Sequence, residues 1–302
     1  MILSDVIKGF AGELISNGEF DSIAFATEQE QPNFLTFLEK EKFAKALSNP
    51  NISCLLVKRE LVDAVPAHIH GVFVCESPKQ VLFELHNMLV RNPKYVGESF
   101  PTQIGNDCDI SPLSVIPENN VTIGNNVTIE PFVVIKGRVT IGNNVIIRSG
   151  SVVGCKGYSF AHSASGDNIS VVDAAQIVIE DNVELFEKVT VTTGLFPWEK
   201  TVIGSSTKID VLGCVAHGTH IGRNCLLAGG CKCCGNCRVG NDVWIGPGAV
   251  LSNRIKVGDN ARVSIGAVVT KDVPANMTVS GNFAIDHQKF MSNLKKSIKE
   301  MD

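Results

Sequence analysis

Three histidines and a run of thiols are the side chains of this 302-residue chain best suited to chemistry. His217 lies in KIDVLGCVAHGTHIG, residues 208–222, His220 follows three positions later, and His162 sits in GCKGYSFAHSASGDN. An imidazole gives and takes protons near neutral pH, so each is a candidate acid or base. Cys231, Cys233, Cys234 and Cys237 form CKCCGNC, a spacing from which thiolates can share a tetrahedral metal. The elements that carry these residues decide between such chemistry and simple packing.

From Ile104 onward an aliphatic residue recurs every six positions: Ile104, Ile110, Ile116, then, after a slip of one, Ile123 to Val153. A second run extends from Ile179 to Val269 and is broken only at Pro197. Four residues after many of these comes a small or β-branched residue, as at Val127, Val145, Thr207, Thr219 and Ala261. Strands alternate every second residue, so neither an ordinary sheet nor a helix has this beat. A three-sided coil does: each hexad is one short strand and one corner, with Gly, Asn and Asp allowing the tight turn. About eight stacked coils are expected, with the backbone paired from coil to coil. In that register Cys225, Cys231 and Cys237 take the second apolar slot and Cys233 the axial one, which predicts buried packing thiols and no metal; only Cys234 falls at a corner. His217 is also a corner residue, so its ring projects outward, as an interface side chain or a catalyst. Two interruptions, residues 154–175 and 192–201, are long enough to reach over a neighbouring molecule.

Residues 1–97 alternate helix-like and strand-like stretches and form a small α/β domain. Its elements are a helix across 3–15, strands at 33–38, 54–57 and 71–75, and a helix opened by Pro78. The segment 91–103 reads as a linker. The coil occupies 98–282, and 283–302 is a C-terminal tail with an amphipathic helix at 287–301 that caps the prism or packs on a second copy. A net charge of −4, 19% charged and 6% aromatic residues give no nucleic-acid platform. No leader or apolar span is evident, which predicts a cytoplasmic protein with reduced cysteines.

Segment 208–222, followed by LLAGGCKCCGNCRVG, resembles the motif region of the UDP-3-O-acylglucosamine N-acyltransferases of lipid A biosynthesis, members of the hexapeptide-repeat acyltransferase superfamily. GCKGYSFA, the α/β front region and DHQKF near the end are similar to that family as well. The resemblance implies a left-handed parallel β-helix, assembled as a homotrimer with clefts walled by two subunits. It implies acyl transfer from a thioester, acyl-CoA or acyl carrier protein, to the amine of a nucleotide-linked amino sugar. By the same resemblance His217 is the general base, Asp210 the carboxylate that orients it and Gly235 N–H the oxyanion donor, with no metal or tightly bound cofactor. Phe37 and Phe43 in FLEKEKF match the pair of aromatics that sandwich uracil, with Lys40 where the family has asparagine.

Two departures qualify this. Asp242 stands where the family carries a second histidine, and GAVVTKDVPANMTVSGN is instead similar to coenzyme A-dependent hexapeptide acetyltransferases, in which a lysine matching Lys271 lies near the acyl donor. Rival readings are an O-acetyltransferase acting on a small hydroxyl compound, a zinc hydratase of carbonic anhydrase type with His217 and His220, and a non-catalytic spacer.

Overall fold

In the computed structural model, which describes residues 1–163, 165–281 and 283–299, the hexads form a left-handed parallel β-helix. Its faces are parallel sheets of eight, nine and seven strands, visited in that order on each turn. Three consecutive strands, Lys200–Ile203, Lys208–Ile209 and Cys214–Val215, show one circuit; the next coil stacks His220 on Val202, Leu226 on Lys208 and Lys232 on Cys214. The repeat works because both apolar slots disappear into one core: Ile203, Ile209, Val215, Leu227 and Ile245 are all buried, with Val183, Val189, Ala249 and Ala261 between them. The first coil is an open end, where Ile104 is 53% exposed and Ile110 and Ile116 are only partly covered.

The corner between the eight-strand and nine-strand faces requires positive φ, which Asn tolerates better than most residues. Asn126, Asn144, Asn182, Asn224 and Asn260 all adopt it. Their side chains form a ladder, with Asn126 Nδ2 donating to Asn144 Oδ1 at 2.9 Å. Asp242 belongs to this ladder, with φ 58° and an oxygen accepting from Asn224 Nδ2 at 2.7 Å, so it is a corner residue remote from His217.

The front domain carries a five-stranded sheet of β1 (Glu13–Ser16), β2 (Ser22–Ile23), β3 (Phe34–Leu38), β4 (Ile52–Val57) and β5 (Gly71–Val74), in the order β1-β5-β4-β3-β2 with only β1 antiparallel. The helix expected across 3–15 is a single turn, Leu3–Val6. The turn closes at Ile7, Gly9 follows at φ 100°, and the backbone at Gly12 then packs where a Cβ would lie 2.3 Å from Val74 O; edge pairing of β1 with β5 overrides the helical spacing. The helix opened by Pro78 forms over Pro78–Leu89; of its expected apolar stripe Val81, Leu82, Leu85 and Leu89 are buried and Met88 is exposed.

Parts of both interruptions pack against the front domain, while Tyr158 and Phe160 of the first stay exposed. Phe160–His162 and Asn168–Ser170 pair as an antiparallel hairpin whose end is held by Asn87: its side chain donates to Ser170 O at 3.0 Å and accepts from Val172 N–H at 2.8 Å. In the second, Phe196 is fully buried in the front-domain core and Trp198 Nε1 donates to Ile23 O at 2.8 Å. Apolar burial holds these segments against the front domain. The linker is tied down too, by Arg138 Nη2 donating to Gly97 O and Glu98 O at 2.6 and 2.9 Å. The tail helix, His287–Lys299, leaves Phe290, Met291 and Leu294 exposed; Met301, in the segment expected to be helical, lies outside the described residues.

Candidate active site

The corner between the seven-strand and eight-strand faces carries His217. Register on the seven-strand face pairs Val191 with Val215, Val215 with Cys233, Cys233 with Leu251 and Leu251 with Val269. Two positions beyond these, Thr193, His217, Gly235, Asn253 and Lys271 therefore form one column along the corner. Lys271 is exposed three coils from His217, about 14 Å along the axis at 4.8 Å per coil.

His217 is half-buried, and its ring lies against the backbone of the next coil. A Cβ at Gly235 would fall 2.5 Å from both Cε1 and Nε2 of that ring and 3.1 Å from Nδ1, so only glycine leaves the imidazole its place. Burial lowers the His217 pKa, with the Asp173 carboxylate pulling the other way, which favours a ring with a free lone pair.

Asp173 comes from the return limb of the first interruption. That limb crosses the corner one coil before His217: Ala174 N–H donates to Gly194 O at 3.1 Å and to Leu195 O at 2.9 Å, and the Thr193 hydroxyl donates to Ala175 O at 2.9 Å. Asp173 Oδ2 accepts from Gly157 N–H at 2.6 Å, while Oδ1 is buried with no hydrogen-bond partner among the described residues. Burial raises this carboxyl above its ordinary range, opposed by the Gly157 N–H, the Ser159 hydroxyl, Lys156 and His217. A cavity of about 670 Å³ opens beside it, lined in part by Lys136, Lys156, Asp173 and Thr193.

Asp210 does not meet His217 within the chain. Its oxygens accept from Val211 N–H at 2.7 Å and Gly229 N–H at 3.0 Å, at the corner between the nine-strand and seven-strand faces. The seven-residue spacing carries the chain through the strand Cys214–Val215, so one whole face separates the two. His162 is exposed on the hairpin. His220 points outward on the eight-strand face, its Nε2 3.0 Å from Lys200 O, and stacks with Arg238 and Lys256. This basic column, joined by Lys200 and Arg254, lines a second cavity of about 690 Å³ whose opposite wall is the loop after β2, residues 25–31. In the front domain Phe37 is half-buried at the carboxyl end of β3, Lys40 is exposed, and Phe43 is 57% exposed with Lys42 Nζ 4.9 Å from its ring centre.

The bacterial transferase hexapeptide (six repeats) family matches residues 120–155 and 236–271. The UDP-3-O-acylglucosamine N-acyltransferase of Campylobacter concisus is 29% identical over 96% of each chain. That of Helicobacter hepaticus is 29% identical over 90% of this chain and 88% of its own. Among solved structures, the Francisella novicida UDP-N-acetylglucosamine acyltransferase is 20% identical over 64% of this chain and 71% of its own, with a TM-score of 0.42. This chain is an acyltransferase built on hexapeptide repeats, similar over nearly its whole length to UDP-3-O-acylglucosamine N-acyltransferases.

Within this acyltransferase the thiols of CKCCGNC divide as the repeat register predicts. Cys231, Cys233 and Cys237 are buried, as is Cys225, and Cys234 is half-buried at the corner. Burial pushes the Cys231 thiol up to about 12 and that of Cys233 well above its ordinary value, so these are inert packing groups. Asp173 and the basic column escaped the sequence reading. Asp173 sits in SVVDAAQ, where the chain rejoins the repeat, and being the acidic residue of that junction is its sole mark. His220, Arg238 and Lys256 recur every 18 residues, a signal readable once three hexads are taken as a coil.

Proposed function

We propose that this protein transfers an acyl group from a thioester, acyl-CoA or acyl carrier protein, to the amine of a nucleotide-linked amino sugar, in making lipid A or a surface polysaccharide. The observation that carries this is the His217 imidazole seated on Gly235, in one column with Lys271. In the reaction the amine nitrogen attacks the thioester carbon, the C–N bond forms, and His217 takes the proton that nitrogen loses. The Gly235 N–H, which has no acceptor among the described residues, receives the developing oxyanion, an interaction worth about 3 kcal/mol in comparable sites. Collapse breaks the C–S bond, and the proton passes to the leaving thiolate. Nothing in this sequence requires a metal or a tightly bound cofactor. Lys271 meets the pantetheine-bearing donor further along the corner.

The acceptor is recognised by the front domain, with Phe37 and Phe43 on the base and Lys40 near the diphosphate. The second cavity, between the basic column and the loop carrying Glu28 and Glu30, opens at the carboxyl end of the sheet, where open α/β sheets bind ligands. Asp210 completes the site only from a second copy, because it lies on the far edge of the seven-strand face; a homotrimer of parallel prisms would bring such edges together. No described helix is long and apolar enough to cross a membrane, and a thioester donor is in keeping with a cytoplasmic enzyme.

Thiol release from acyl-CoA or acyl carrier protein, measured with UDP- and dTDP-linked amino sugars, tests the reading. Acceptor-dependent release lost in His217→Ala supports it. Release with hydroxyl acceptors alone, or with none, overturns it.

A further inference from the structure

We propose that Asp173, supplied by the return limb of the first interruption, is the carboxylate that holds the His217 imidazole in position for proton transfer. The assignment rests on His217 as general base and names the residue that orients it.

Three features converge. The limb 173–175 is fastened across the corner one coil before His217, through Ala174 N–H to Gly194 O and Thr193 Oγ1 to Ala175 O. Asp173 Oδ1 is buried without a donor, and the His217 ring makes no hydrogen bond among the described residues, although the two side chains act on each other electrostatically. Asp210, the other candidate, spends both oxygens on backbone N–H groups one face away.

A buried acceptor left unpaired is costly, and an unpaired imidazole has no fixed tautomer. Rotation of the His217 side chain toward Oδ1 relieves both. One ring N–H then donates to the carboxylate, and the lone pair of the other nitrogen faces the amine, the division of labour that a carboxylate–histidine pair provides. The other charged or titratable groups on this side do not compete. Lys136 and Lys156 are cations and cannot accept. The Cys155 and Cys214 thiols are raised by burial and stay neutral. Glu199 Oε2 already accepts from Leu195 N–H at 2.9 Å and Phe196 N–H at 3.4 Å.

Asp173→Asn keeps an oxygen for Gly157 N–H and removes the charge; Asp173→Ser is the smaller alternative should the amide disturb the hairpin. Each is measured by thiol release against pH and by proton NMR titration of the histidine ring, with His217 assigned from its absence in His217→Ala. The expected result is a His217 titration moved to lower pH, the acid limb of kcat/KM moved with it, kcat reduced at least tenfold, and KM within twofold of the parent. An unmoved titration and acid limb, or a raised KM with kcat intact, overturns the assignment and leaves Asp173 a hairpin support. Full activity in His217→Ala would instead remove the general-base role, whereas the NMR titration tests the Asp173–His217 contact without any turnover.

Discussion

Gly235→Ala adds one methyl group at the tightest point of the corner. The new Cβ would sit 2.5 Å from two atoms of the His217 ring, and ordinary contact begins at 3.4 Å, so the ring must retreat by about 0.9 Å. Displacement of a reacting group by about 1 Å costs on the order of 100-fold in rate, or about 2.7 kcal/mol of barrier. The fold should tolerate the change. Gly235 does not adopt positive φ, and a half-exposed ring can yield toward solvent, so overpacking stays below the roughly 1–3 kcal/mol of a closed core. Alanine keeps the backbone N–H, so a loss of rate reports the position of the imidazole and not the loss of an oxyanion donor. Steady-state thiol release should show kcat down about 100-fold with KM little changed and a melting temperature within a few degrees of the parent. Gly281→Ala, where a Cβ meets nothing within 4 Å, is the control. Activity within threefold of the parent in Gly235→Ala would refute the claim that this contact sets the geometry of the base.

Because burial lowers the His217 pKa, the base stays unprotonated to below its ordinary value of about 6.5; kcat/KM should be flat above neutrality and fall as pH drops, with a midpoint below 6.5, and a midpoint above 7 counts against it. Glu199 is raised from 4.5 to about 7 by burial, so the folded state prefers it protonated, and that stability, present below 4.5, is lost as pH rises through 7. Glu199→Gln should therefore melt higher than the parent at pH 8, by on the order of 3 kcal/mol, and alike at pH 4.5; equal melting at both would remove the effect. Cys233→Ser puts a hydroxyl on the prism axis and should cost about 1–3 kcal/mol in denaturant unfolding, whereas Cys234→Ser at the corner should be near neutral. Phe43→Ala should raise the KM for the nucleotide sugar about fivefold to tenfold without changing melting, since its ring is mostly exposed; an unchanged KM would separate Phe43 from the base.

The prism was legible because its periodicity is a direct projection of its packing. Each aliphatic residue at six-residue spacing is axial, and even the thiols of CKCCGNC could be assigned by register, as the buried Cys231, Cys233 and Cys237 bear out. What register gives is an address, not a distance. His217 and Asp210 are close in the chain, yet the tight corner turns them to different edges; His217 and Gly235 are 18 apart and in contact. The interruptions carry no period, so nothing in SVVDAAQ or GLFPWEK announces that Asp173 returns to the corner or that Phe196 fills another domain's core. Residues 3–15 misled for a related reason: their spacing suits a helix, but the pairing of β1 with β5 is settled by residues some 60 positions away.

The two sides of the corner are made by different means, with consequences for how the site is held. On one side Gly235, Asn253 and Lys271 are fixed by coil stacking, in which the strands leading to Gly235 and Asn253 are bonded to the coils before and after them and the strand leading to Lys271 to the coil before it. A shift there would have to move a whole turn against a close-packed core. On the other side the residues facing His217 come from loops. Those loops are fastened to each other and to the corner through Ala174, Thr193 and Gly157, and to the front domain through Asn87, His86, Trp198 and the buried ring of Phe196. The second set of bonds also attaches the front domain to the prism, so the placement of Asp173 and the seating of that domain share contacts. Weakening the Trp198 bond to Ile23 should therefore disturb acceptor binding and the His217 environment together while leaving the Lys271 end of the corner unchanged. A scaffold that was rigid on both sides would confine such a change to the front domain.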